Sequence, residues 1–151
     1  RKRPQPILME GKMQTRLNPY LSFRDNARQA MAFYLAVFGG KLTMSTFREF
    51  HVSEDPSEGD KIMHAMLEAE NGITFMAADT PEGMEYRPGA SISMSLSGDN
   101  EKELRTYFEK LSTGGKVTMP LEKAPWGDTF GMCTDRFGVN WLVNITGEAS
   151  S

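Results

Sequence analysis

Hydrophobic and polar residues alternate in several short stretches of the chain, and a period of two is typical of half-buried strands. In the stretch 17–23, Tyr20 and Ser22 fall on one face, whereas Leu21 and Phe23 fall on the other. Aromatic, β-branched or alternating content predicts further strands at 41–50, 62–70, 73–79, 91–97, 126–134 and 139–145. The chain is therefore expected to be rich in short strands.

Two stretches have the period of a helix instead. The apolar positions of the first are Ala30, Met31, Tyr34, Val37 and Phe38, and those of the second are Leu104, Tyr107, Phe108 and Leu111. Asp25 or Asn26 is expected to cap the first helix. Asn100 is expected to cap the second, with Glu103 in the position of a capping box.

A repeat divides the chain into two halves. The run Gly-Gly-Lys-Leu-Thr-Met at 39–44 recurs as Gly-Gly-Lys-Val-Thr-Met at 114–119. The order of elements predicts an α+β fold of two βαβββ modules, at about 14–80 and 90–147, with a linker between them. One such module cannot bury both faces of its sheet. We therefore expect the half-barrel sheets to join, in this chain or with a second chain, into a curved mixed sheet with helices outside and a ligand-binding cup within.

The first twelve residues have neither the periodicity nor the composition of a core element. Because Met13 follows them, we expect 1–12 to be an appended or disordered tail and 13–151 to form a single domain. The alternative is a native arm that lies on a neighbouring subunit.

Composition narrows the class of protein. Residues 1–12 hold four basic groups and one acidic group, so residues 13–151 hold 13 basic groups against 19 acidic groups, a net charge of −6. This charge disfavours nucleic acid as a partner. A single cysteine, Cys133, excludes an internal disulfide and is typical of a reducing compartment. With no stretch apolar enough for a membrane span, the protein is expected to be cytoplasmic and not bound to a membrane.

Several motifs together resemble a known family. They are Asn-Pro-Tyr-Leu-Ser-Phe at 18–23, the helix end Ala-Phe-Tyr at 32–34 with Val-Phe-Gly-Gly at 37–40, Met-His-Ala at 63–65, Ala-Asp at 78–79, and Trp-Gly-Asp-Thr-Phe-Gly at 126–131. The chain resembles the PhnB-like branch of the vicinal oxygen chelate superfamily, which includes glyoxalase I, extradiol dioxygenases and bleomycin-resistance proteins. The resemblance implies the fold described above but leaves the activity open, because this scaffold carries many functions.

The resemblance also implies where a metal would be held. Catalytic members bind a divalent ion with His, Glu or Gln, at slots that correspond here to Pro19, Ser91, Leu142 and either Thr74 or Met76. None of these side chains suits such an ion. The usual metal centre is therefore predicted to be absent, unless a divalent metal occupies a displaced site.

Two ionisable residues are candidates for chemistry. His64 is expected to share a face with Ile62 and Met66 and to point into the cup, where it could act as a base, an acid or a ligand. The alternative is a packed histidine that makes one hydrogen bond. Asp79 ends the next predicted strand and is a possible partner for His64, although such an aspartate more often organises the following turn.

Aromatic and hydroxyl side chains are candidates for ligand binding. Trp126, Asp128 and Phe130 alternate onto one face, and Trp141 follows after the next turn. Aromatics beside a carboxylate suit a planar or cationic ligand, although core packing explains Phe130 and Trp141 nearly as well. The hydroxyls of Tyr20 and Ser22, with Ser93 and Ser95, are expected to line the same cavity; the alternative is a sheet surface that faces solvent or a neighbouring subunit.

Two hypotheses follow. The first is a homodimer that binds a small molecule in the cup without a metal or other cofactor, as drug- or metabolite-sequestering proteins do. The alternative is a metal-dependent lyase, isomerase or dioxygenase of the glyoxalase type, with a displaced site near His64 and Asp79.

Overall fold

The computed structural model describes residues 17–51, 55–86, 88–89 and 91–147, so the predicted tail at 1–12 lies outside the described residues. The first module contains β1 (Tyr20–Phe23), α1 (Ala27–Phe38), β2 (Lys41–Thr46), β3 (Ile62–Glu68) and β4 (Thr74–Asp79). The second contains β5 (Met94–Gly98), α2 (Glu101–Ser112), β6 (Lys116–Lys123), β7 (Thr129–Thr134) and β8 (Asn140–Ile145). The prediction of two βαβββ modules is confirmed.

Each module forms its own four-stranded mixed sheet. The strand order is β1-β4-β3-β2 in the first sheet and β5-β8-β7-β6 in the second. In each sheet the first strand of the module runs parallel to the last, and the other pairs are antiparallel. In the described part of the chain the two sheets are not hydrogen-bonded to each other, so β1 and β5 are free edge strands.

One helix covers one face of each sheet, and the two helices are capped differently. The side chain of Asn100 caps α2 as predicted, accepting a hydrogen bond from the Glu103 N–H at 3.1 Å. Asn26 occupies the cap position of α1 but makes no such bond. The carboxylate of Asp79 accepts from the Ala27 N–H instead, at 2.9 Å. A distant strand end, rather than the local sequence, therefore caps α1.

The helices and the covered faces of both sheets share one hydrophobic core. Tyr34 of α1 is fully buried and packs against Phe75 of the first sheet and Trp141 of the second, with ring centroids 5.4 and 5.9 Å away. Because both covered faces are turned toward this core, the open faces of the two sheets point away from it. Within one chain, therefore, the open faces do not enclose a common cup.

The repeated glycine pairs have the same role in both modules. A Cβ on Gly40 would fall on the carbonyl oxygen of Glu68, and a Cβ on Gly115 would fall on that of Thr134. Each glycine therefore lets the chain pass close to a neighbouring strand end as it leaves the helix.

The strand prediction at 41–50 is too long, because β2 ends at Thr46 and a short 3-10 turn covers Arg48–Phe50. The pairing of β2 with β3 also shifts between Ser45 and Thr46. With this shift Ile62 is buried on the helix-facing side and Met63 is exposed, so Ile62 does not share a face with His64 and Met66 as expected. Neither helix in the described part is long and apolar enough to cross a membrane.

Candidate functional site

The open face of the first sheet carries three of the predicted site residues. Tyr20 and Ser22 lie on β1, and His64 lies on β3, with β4 between the two strands. The rings of Tyr20 and His64 are stacked, with centroids 6.3 Å apart and planes 28° from parallel. Tyr20 is 53% exposed and His64 is half-buried, so both rings are accessible from the open face.

Asp79 does not lie on this face, so it is not a partner of His64. It shares the helix-facing side with Phe75 and Ala77 and is only 5% exposed. Its two carboxylate oxygens accept from the N–H groups of Ala27 and Ile62, at 2.9 and 2.8 Å. Because His64 and Asp79 lie on opposite faces of the sheet, they cannot hold one metal ion together.

The open face of the second sheet has an aromatic residue between polar ones. Phe130 of β7 lies directly opposite Glu122 of β6 on one side and Asn144 of β8 on the other. Residues directly opposite in antiparallel strands share a face. The row Glu122, Phe130 and Asn144 therefore crosses this face of the sheet.

Asp128 is fixed at the end of this row. Its carboxylate accepts from the side-chain amide of Asn144 and from the N–H of Gly147, both at 2.9 Å. These two hydrogen bonds lower the pKa of the Asp128 carboxyl below its usual value, because they stabilise the charged form. Among the described residues Asp128 has no cationic partner. It is an oriented and partly exposed carboxylate.

Trp126 lies two residues before Asp128, in the turn that leads into β7. The turn is closed by hydrogen bonds from the Ala124 N–H to the Asp128 carbonyl and from the Gly127 N–H to the Ala124 carbonyl. The Trp126 ring is 64% exposed and meets the Phe130 ring at 65°, with centroids 5.9 Å apart. The Trp126 and Phe130 rings are thus in contact, and Asp128 is held close to them through Asn144, which lies opposite Phe130. The strand predicted at 126–134 is too long, because β7 begins at Thr129 and Trp126 lies in the turn before it.

Trp141 lies on the other side of the sheet, so the prediction that it extends the aromatic wall is wrong. It is 2% exposed in the shared core, and its indole N–H donates to Asp135 at 2.9 Å. The hydroxyl of Tyr34 donates to the same carboxylate oxygen at 2.6 Å. Trp141 pairs with Cys133, so it shares the helix-facing side with Cys133 and not the face of Phe130.

An apolar cleft of about 600 Å³ opens between the modules, near the starts of β1 and β5. Its walls include Pro19, Ile92 and the edge of Trp141. Ser93 and Ser95 also line it, whereas Tyr20 and Ser22 line a different cleft together with Tyr86 and Phe137.

In the part of the chain that the structure describes, no three His, Cys, Asp or Glu side chains lie close enough to hold a metal ion.

Asn144, which orients Asp128, was not predicted from the sequence. Alternation along 139–145 places Asn144 on a face with Leu142, but only the pairing of β7 with β8 puts it next to Phe130.

Comparisons with known proteins agree with this architecture. Residues 16–143 match the model of the Glyoxalase/Bleomycin resistance protein/Dioxygenase superfamily. Protein YjdN of Escherichia coli is 29% identical over 140 residues, which cover 85% of this chain and 94% of YjdN.

Two solved structures are similar as well. Protein PA1353 from Pseudomonas aeruginosa is 38% identical with a TM-score of 0.77, covering 89% of this chain and 100% of that one. A Bacillus cereus PhnB protein, described as a putative 3-demethylubiquinone-9 3-methyltransferase, is 27% identical with a TM-score of 0.68, covering 87% and 100%. The family match, the fold and these relatives together show that the chain belongs to the glyoxalase/bleomycin resistance/dioxygenase superfamily, in its PhnB-like branch.

Proposed function

We propose that the protein binds a planar, cationic small molecule on the open faces of its sheets, without the divalent metal centre that catalytic members of the superfamily use. The observation that carries this proposal is the arrangement of Trp126, Phe130 and Asp128 at one end of the second sheet. The two rings meet at 65° and form a corner, and the oriented carboxylate lies beside it.

Each part of this corner favours the same kind of ligand. An exposed indole offers a large flat surface for stacking, and aromatic faces attract cations. The carboxylate of Asp128 stays ionised because Asn144 and Gly147 stabilise its charge. Glu122 is exposed on the same row and adds a second negative charge next to Phe130.

The residues at the family's ligand slots support binding without the usual metal. A divalent ion of that kind needs imidazole or carboxylate ligands, and the slots hold Pro19, Ser91, Leu142 and Thr74 or Met76. The displaced site is not favoured either, because Asp79 uses both of its oxygens on the helix-facing side.

A second copy of the chain completes the cup in this proposal. The face with Tyr20 and His64 and the face with Trp126 and Asp128 point away from the shared core, so one chain cannot enclose a ligand between them. In a homodimer, the first sheet of one subunit can face the second sheet of its partner. The free edges of β1 and β5 and the exposed Ile92 leave an apolar border for such an association.

Binding is tested with two dyes of opposite charge, the planar cation proflavine and the anion 1-anilinonaphthalene-8-sulfonate, in buffer with and without EDTA. We expect proflavine to quench the fluorescence of Trp126 regardless of EDTA and to bind more tightly than the anion. Asp128→Asn should weaken proflavine binding about tenfold, or ~1.4 kcal/mol, and Trp126→Phe should remove most of the quenching. Equal affinity for both dyes, or an Asp128→Asn variant that binds proflavine as well as the original protein, would refute the proposal.

The shared cup is tested by mixing two inactive variants. One carries Tyr20→Ala with His64→Ala, and the other carries Trp126→Ala with Asp128→Asn. If each cup uses faces from two subunits, a dimer that contains one subunit of each kind has one intact cup, and mixing restores part of the proflavine binding. Failure of the mixture to regain binding, although sedimentation shows mixed dimers, would place each site within one chain.

A further inference from the structure

We propose that His64, Met66 and Met76 form a binding site for a soft monovalent metal ion, Cu(I) or its analogue Ag(I), on the open face of the first sheet. This site would differ from a divalent centre in both its ligands and its metal. It uses none of the residues of the Trp126 corner, although it shares His64 with the face proposed to complete the cup, so the two proposals are tested by different readouts, Cu(I) affinity and proflavine binding.

The pairing of the strands brings these three side chains together. Met66 of β3 lies directly opposite Met76 of β4. Such pairs have Cβ atoms about 5 Å apart. His64 lies two residues before Met66 on the same strand and face, about 7 Å along it. The methionine sulfur lies two bonds beyond Cβ, so two thioethers and one imidazole nitrogen can converge above the sheet.

The surroundings suit a bound ion. His64, Met66 and Met76 are all half-buried, so an ion could reach them and would still be partly shielded from water. Tyr20 lies directly opposite Met76 and stacks on His64, with ring centroids 6.3 Å apart, so its ring closes one side of the group.

The ligand types select the metal. Thioether sulfur is a soft ligand that prefers Cu(I), whereas carboxylates and water suit harder ions. Imidazole binds copper as well. Asp79 is on the opposite face of the sheet and engaged with backbone N–H groups. Glu68 is on the same face, but it lies four residues beyond His64 on β3, about 13 Å along the strand, and it is exposed to water. The group therefore favours a soft ion over the divalent ions used by catalytic relatives.

The second sheet provides a matched control. Met119 and Met132 also lie directly opposite each other, on β6 and β7. The chain has two histidines, His51 and His64, and neither belongs to the strands of that sheet. A methionine pair alone is thus compared with a methionine pair that has an imidazole beside it. Cys133 could compete for a soft metal and is replaced by alanine in all samples.

The test uses the full chain labelled with 13C at the methionine methyl groups and titrated with Ag(I). We expect one equivalent to shift mainly the signals of Met66 and Met76, which the single Met→Leu variants assign. Competition with bicinchoninate under anaerobic conditions then measures the Cu(I) affinity. Changes around a metal's own ligands typically cost 10–100-fold in affinity, so Met66→Leu with Met76→Leu, and separately His64→Gln, should each weaken Cu(I) binding at least about tenfold.

The control variant, Met119→Leu with Met132→Leu, should bind Cu(I) as the parent does. Ag(I) shifts spread evenly over the eleven methionines, a control variant that loses as much affinity, or a His64→Gln variant with undiminished affinity would each overturn the proposal. The number of methionine methyl signals that one equivalent of Ag(I) shifts in the parent protein, two or many, tests the proposal even if a double variant fails to fold.

Discussion

The hydrogen bond between Tyr34 and Asp135 joins the two modules across their shared core. The Tyr34 hydroxyl, on α1, donates to the Asp135 carboxylate at 2.6 Å, and both residues are buried. Replacing Tyr34 with phenylalanine removes this bond but keeps the ring that packs against Phe75 and Trp141. The change therefore isolates one interaction between the modules.

The expected cost follows from what remains around the carboxylate. Asp135 would keep three donors, the N–H groups of Phe137 and Val139 and the indole of Trp141, at 2.8, 3.1 and 2.9 Å. Its charge would therefore stay largely satisfied. A hydrogen bond to a charged group contributes roughly 1.5–3 kcal/mol. We expect Tyr34→Phe to lower the free energy of unfolding by about 2 kcal/mol.

The pH dependence of this loss has a definite sign. Burial and then the charge of Asp135 raise the pKa of Tyr34 well above its usual value. An unfolded tyrosine ionises near pH 10. Above that pH the unfolded state binds fewer protons than the folded state, so the contribution of Tyr34 to stability decreases as pH rises. The difference between the original protein and Tyr34→Phe should be constant below about pH 9 and shrink above about pH 10.

Urea unfolding at fixed pH measures both effects. Tyr107→Phe is the matched control, because the Tyr107 hydroxyl donates to the Glu103 carboxylate at 3.2 Å on the partly exposed surface of α2. Exposed pairs of this kind contribute about 0.5 kcal/mol or less. The reasoning is refuted if Tyr34→Phe changes stability by less than about 0.5 kcal/mol, or no more than Tyr107→Phe does.

Three further predictions concern local structure. Gly40→Ala and Gly115→Ala should each lower the free energy of unfolding in urea by more than Gly39→Ala does. Of these three positions, Gly39 alone has free space around the new Cβ. Similar losses at all three positions would contradict this prediction. Asp79→Ala should lower the free energy of unfolding by about 2–4 kcal/mol, because two buried N–H groups lose their acceptor. The folded variant should still bind proflavine. Cys133 is 1% exposed and burial raises its pKa to about 11, so its reaction with Ellman's reagent at pH 8 should be slow until urea unfolds the chain, and fast labelling of the native protein would contradict the structure.

Periodicity was sufficient for much of the fold. The alternation around Tyr20 and the helical spacing around Tyr34 predicted β1 and α1, because side chains on one face of an element share one environment. The repeated glycine pairs predicted the two modules, and they coincide with close approaches that leave no room for a side chain. The alternation of Trp126, Asp128 and Phe130 likewise predicted that the three share a face, although the strand predicted at 126–134 begins only at Thr129 and Trp126 lies in the preceding turn.

Tertiary contacts decided which face of each sheet is covered and which side chains lie together. Asp79 and Trp141 were misplaced because strand alternation tells which residues share a face, but not which face a distant helix covers. The pairing of β7 with β8 is what places Asn144 next to Asp128, and the sequence alone does not show this pairing. The separation of the two open faces also depends on the helices packing into one core. Local sequence therefore determined the elements and the duplication, whereas packing between residues far apart in the chain determined which side chains are exposed for a ligand.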